Sequence, residues 1–74
     1  MNKKKRARDM VIEAKGGLPS SQKVRTALGQ LLFYKEHEPS LKLGFLFPKV
    51  WLEAENIHND CDVLKKYGII FLPI

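Results

Sequence analysis

Seventy-four residues and 8.5 kDa make one small domain, and a chain of that size buries only about 60% of the surface its unfolded form exposes. With 45% hydrophobic and 28% charged residues the composition is globular; no apolar run nears the roughly 18 residues of a membrane span, and none follows the basic start as a secretory signal requires. The one cysteine, Cys61, excludes an internal disulfide and points to a reducing, cytoplasmic setting, while the net charge of +5 raises a nucleic-acid reading that depends on where the charges lie.

They lie at the start. Lys3, Lys4, Lys5, Arg6 and Arg8 put five positive charges into the first eight residues, and from residue 9 onward eight basic and eight acidic side chains cancel. Residues 1–8 are therefore expected to be a basic flexible tail on a neutral body. That tail could pair with nucleic-acid phosphates in a salt-sensitive way, or act only as a solvated end that keeps the chain soluble.

The body begins with Arg8–Lys15, where Val11 and Ile12 favour a strand. Gly16 and Gly17 break it, and Ser20 or Ser21 can cap a helix. From Gln22 to about His37 the apolar positions Val24, Ala27, Leu28, Leu31, Leu32 and Tyr34 recur at helical spacing. Gly29 costs that helix about 1 kcal/mol relative to alanine, a sign of a close approach. Leu41–Phe47 is a second strand closed by Pro48, and Trp51–Ile57 reads as a short helical turn or a loop. Asn59 or Asp60 can cap a second helix with lysines in its last turn, Gly68 stops it, and Ile69–Ile74 is a third strand.

Strand, helix, strand, helix, strand is the order of a small α/β fold with a mostly parallel three-stranded sheet. With the strands in sequence order, both crossovers put their helices on one face, so the other face should be polar. It is not. The first strand divides into Met10, Ile12 and Ala14 against Val11, Glu13 and Lys15, the second into Leu43, Phe45 and Phe47 against Gly44 and Leu46, and the third into Ile69 and Phe71 against Ile70, Leu72 and Ile74. Both faces of the later strands are apolar, as in sheets covered on both sides. A homo-oligomer or a partner chain is expected over the bare face, or the chain is part of a larger domain.

Glu13 and Lys15 sit two apart on the first strand and so share a face, roughly 6.6 Å apart along the chain. A carboxylate can hold a hard cation, and a neighbouring lysine can offset charge that develops on a phosphoryl oxygen. Taken alone, the pair is equally well a charged strand end. Gln30 and Tyr34, four apart, share one flank of the following helix. Elsewhere, His58, Asp60, Cys61 and Asp62 match no usual zinc spacing, and capping explains Asn59, Asp60 and Asp62 without a metal. Cys61 with His37 or His58 makes no recognised thiol nucleophile. Gly16-Gly17 is no phosphate loop, and Trp51 and Tyr67 read as core or edge aromatics.

The sequence E-A-K-G-G on a strand, Q-L-L-F-Y on the next helix, then L-G-F-L-F-P and Y-G-I-I-F-L-P-I, resembles the C-terminal part of the PD-(D/E)XK nuclease superfamily, the restriction-endonuclease-like fold. Its Gln-x-x-x-Tyr element is similar to that of the RecB-like and lambda-exonuclease-like branches, and the resemblance covers residues 9–74. It implies metal-dependent hydrolysis of DNA phosphodiesters with Mg²⁺ or Mn²⁺. Glu13 would be a metal ligand and Lys15 the catalytic lysine, with Gln30 and Tyr34 facing the active site and DNA. The family also needs an acidic residue on the strand before the Glu-x-Lys strand. Asp9 shares Glu13's face but lies roughly 13 Å away along the strand, too far to bind the same ion. Residues 9–74 are thus expected as a partial domain, active if an assembly completes the metal site. The alternative is a non-catalytic DNA- or protein-binding remnant or subunit of such a nuclease.

Overall fold

The computed structural model describes residues 3–6, as backbone, and residues 9–74. Strand β1 (Lys3–Arg6) is followed by β2 (Met10–Ala14), helix α1 (Ser21–His37), strand β3 (Lys42–Phe47), two 3₁₀ turns (Lys49–Glu53 and Glu55–Ile57), helix α2 (His58–Lys66) and strand β4 (Ile70–Pro73). The sheet order is β1-β2-β3-β4. β2, β3 and β4 form the expected parallel sheet, with Val11 opposite Leu43, Glu13 opposite Phe45 and Phe45 opposite Phe71. The basic stretch read as a flexible tail adds a fourth strand: Lys3–Arg6 runs antiparallel to β2, with Lys4 opposite Glu13. Four consecutive basic residues suggested solvation, and only the partner strand reveals that their backbone can pair.

One face of the sheet makes the core. Val11, Leu43, Phe45, Phe47 and Ile69 are buried there against Val24, Ala27 and Leu31 of α1 and Leu64 of α2. Phe47 stacks on Trp51 with centroids 6.1 Å apart and meets Phe71 edge-on at 5.6 Å. Trp51 anchors the segment that was ambiguous in sequence, which forms the two 3₁₀ turns. Gly29 is exposed with open space around it, so the expected close approach is absent. The glycine that does face crowding is Gly44, on the opposite face, where a Cβ would meet Met10 Cε at 2.5 Å and Leu72 Cδ1 at 3.2 Å.

Neither helix lies on that opposite face. Met10, Ile12, Ala14, Leu46 and Leu72 are half-buried there, with Met10, Ile12 and Leu72 closing over Gly44, while Ile70 and Ile74 are exposed. The apolar face anticipated from the strand parity is therefore present.

The helix ends differ from expectation in one place. Ser20 caps α1, accepting from the Lys23 N–H. α2, however, starts from Ile57 without a side-chain cap, and Asp60 lies inside its first turn. Asp60 turns instead toward α1, where Ser21 Oγ donates to Oδ2 at 2.6 Å and Arg25 Nε to Oδ1 at 3.1 Å. A partner on another helix outcompeted the local cap. At the far end Gly68, with φ +73°, stops α2: its N–H donates to Lys65 O and that of Ile69 to Leu64 O, a Schellman pair.

The Ser21 hydrogen bond, with the Arg25 guanidinium adding to it and partial burial opposing, holds the Asp60 carboxyl below its ordinary value of 3.8. A depressed carboxylate contributes stability above its unfolded pKa and loses it as pH falls through the folded one. Asp60→Asn is expected to cost about 1 kcal/mol at pH 7, with the Arg25 share small because that side chain is 74% exposed. In thermal unfolding followed by circular dichroism, the gap from the parent should close as the pH drops below 3.8. A gap that does not change with pH would refute the carboxylate's role.

Candidate functional site

The C-terminal end of β2 carries the site. Glu13 and Lys15 point into the helix-covered face and are both buried, with Glu13 0% and Lys15 8% exposed. Lys15 Nζ stands 3.7 Å from Glu13 Oε2. From α1, Gln30 lays its side-chain amide against the same carboxylate. With the amide nitrogen turned to the acceptors, it donates to Oε2 at 2.7 Å and to Oε1 at 3.3 Å. No buried side-chain nitrogen or oxygen among the described residues lacks a partner. Burying a carboxylate without such donors costs several kcal/mol, and the ammonium and the amide are among the groups that allow Glu13 to sit there.

Three of the four residues singled out in sequence therefore converge: Glu13, Lys15 and Gln30. Tyr34 lies one turn further along α1, half-buried against the core and edge-on to Phe33 at 6.0 Å. The basic residues assigned to nucleic-acid contact fall outside what the structure describes, Arg8 entirely and Lys3, Lys4, Lys5 and Arg6 in their side chains.

Among the described residues no three His, Cys, Asp or Glu come together as a metal-ligand group. Mg²⁺ demands six oxygens in octahedral array, usually with one or two carboxylates plus substrate phosphates and water. Glu13 offers one carboxylate, and its oxygens already face an ammonium and an amide N–H. These residues by themselves do not fit a metal ion. His58 and His37 are exposed, the latter's Nδ1 lying 3.0 Å from Phe33 O. Burial pushes the Cys61 thiol up, with Asp60 adding to the effect, which makes it a poor nucleophile.

Beside Lys15 the chain opens into a groove of about 730 Å³, bounded by the Gly16-Gly17 loop and the first turns of α1. The loop is held from two sides. Lys23 Nζ donates to Gly16 O at 3.0 Å and Leu18 O at 2.8 Å, and Trp51 Nε1 donates to Gly17 O at 2.8 Å. Gly17 has φ +75°, a conformation that costs other residues about 1–2 kcal/mol. Sequence reading missed both anchors. The Trp51 bond spans 34 residues and leaves no local trace, whereas Lys23 had one: it follows the cap Ser20 by three residues, where a capping box carries Glu or Gln.

Comparison with family models, curated proteins and solved structures finds no match to this chain.

Proposed function

We propose that this chain supplies the Glu-x-Lys strand and the Gln-x-x-x-Tyr helix of a PD-(D/E)XK-type nuclease acting on DNA phosphodiesters in a cytoplasmic assembly. In that assembly an acidic group from elsewhere joins Glu13 to bind Mg²⁺ or Mn²⁺. The observation that carries the reading is the convergence of Lys15 and Gln30 on a buried Glu13 at a strand end that borders an open groove. The Lys15 ammonium can offset negative charge growing on a phosphoryl oxygen. The uncovered apolar face gives such an assembly a surface to use, whether the added chain is a second copy or a different protein. Among the described residues no helix is long and apolar enough to cross a membrane.

A second reading is a non-catalytic DNA-binding subunit. It is favoured by the full burial of Glu13 and by donors that already occupy its oxygens.

Plasmid nicking in Mn²⁺ separates the two, run with light scattering on the same sample. The control is Glu13→Gln/Lys15→Met, which removes both charges together. Nicking by the parent and none by the control is the expected result. Equal nicking by both rejects the assignment of Glu13 and Lys15, and no nicking by a folded parent leaves the binding reading.

A further inference from the structure

The groove beside the site has one sign of charge. Lys15 and Lys23 are its charged lining residues, Gln22, Thr26 and Ser20 its neutral polar ones, and no carboxylate of the described residues borders it. Helix stability alone would have chosen otherwise. The first turn of α1 has no acidic residue, although Asp or Glu there complements the helix dipole and a cation opposes it. Lys23 occupies the position where a glutamate would close the capping box. Its ammonium meets two carbonyl oxygens and lies 5.8 Å over the Trp51 ring. None of these partners carries a negative charge. The lysine is held in place without being neutralised.

We propose that this groove seats a backbone phosphate of a DNA strand next to the phosphodiester at Lys15, with Lys23 supplying the charge and Gln22 and Thr26 at its rim. This deepens the nuclease reading and rests on it for DNA as the polyanion. A phosphate there would complement both the lysine and the helix end.

The test is oligonucleotide binding in EDTA, so that cleavage plays no part, with the Gln22→Glu variant. Gln22 is exposed, and an acidic residue in the first turn should hold or raise the melting temperature. Yet it places a like charge beside the incoming phosphate, and binding at low salt should fall by about tenfold. Stability and binding then move in opposite directions, which a folding defect cannot imitate. Lys23→Arg keeps the charge and should keep binding. Lys23→Gln should lower the slope of log K against log salt by about one.

Undiminished binding by Gln22→Glu overturns the proposal, as does a groove that takes inorganic phosphate while the oligonucleotide does not bind. Loss of binding in Gln22→Glu with no nicking by the parent keeps the groove and removes a nuclease built from copies of this chain alone. Intact nicking with indifferent Gln22→Glu binding removes the groove alone.

Discussion

Lys15→Met is expected to unfold the domain, and adding Glu13→Gln to it is expected to restore the fold. Glu13 is wholly buried and Lys15 nearly so, 3.7 Å apart. Removing Lys15 takes a counter-charge from a buried carboxylate, and breaking a buried pair costs about 3–5 kcal/mol. A single core of this size rarely supplies more than about 3–5 kcal/mol of net stability, so the single variant has nothing left. The double variant has no buried charge to strand: methionine fills the lysine's volume, and glutamine can exchange amide hydrogen bonds with Gln30. Replacing a buried pair by neutral groups of similar volume is often neutral or stabilising. Urea unfolding monitored by circular dichroism distinguishes the cases. A Lys15→Met protein as stable as the parent would show that Glu13 does not depend on the ammonium.

That expectation changes how any activity experiment is read. A lysine read from sequence as catalytic invites Lys15→Ala as the natural control. In the structure that substitution would also remove a counter-charge from the core, and lost activity would report unfolding as readily as lost chemistry. The pair combines two roles that sequence spacing cannot separate. Both residues face the covered side of the sheet, so their burial follows from where α1 packs, which the alternation along β2 does not show.

Much of the architecture was legible because it rests on local signals. The period of Val24, Ala27 and Leu31 fixed α1, and the apolar runs fixed β3 and β4. The turn glycines marked the breaks. The bare face followed from combining strand parity with sequence order, a deduction that needs no long-range contact. Gln30 was expected only to face the active site, by resemblance, and the structure brings its side chain against Glu13. What stayed hidden depends on distant partners. Asp60 has every mark of an N-cap, yet Ser21 and Arg25, 39 and 35 residues away, draw it to α1. Lys3–Arg6 reads as solvated charge until β2 offers an edge. Trp51 read as a core or edge aromatic, but its bond to Gly17 O, 34 residues away, left no local trace.

Trp51 is where the second large effect is expected. It is 1% exposed, stacks on Phe47, lies 6.3 Å from Phe45, and carries the hydrogen bond to Gly17 O. Truncating a buried tryptophan to alanine costs about 3–5 kcal/mol in lost transfer energy and residual cavity, so Trp51→Ala should leave no cooperative unfolding transition. Trp51→Phe dissects the side chain. It keeps an aromatic ring on Phe47 and removes the indole N–H, leaving Gly17 O without that donor. The loss should be about 1–3 kcal/mol, visible as a lowered melting temperature in a protein that still folds. It should also loosen the glycine loop, whose Gly17 end loses its anchor, and amide hydrogen exchange in residues 16–18 should quicken more than in β3. Trp51→Phe melting with the parent would show that the bond to Gly17 contributes nothing, and the loop's position would then rest on Lys23.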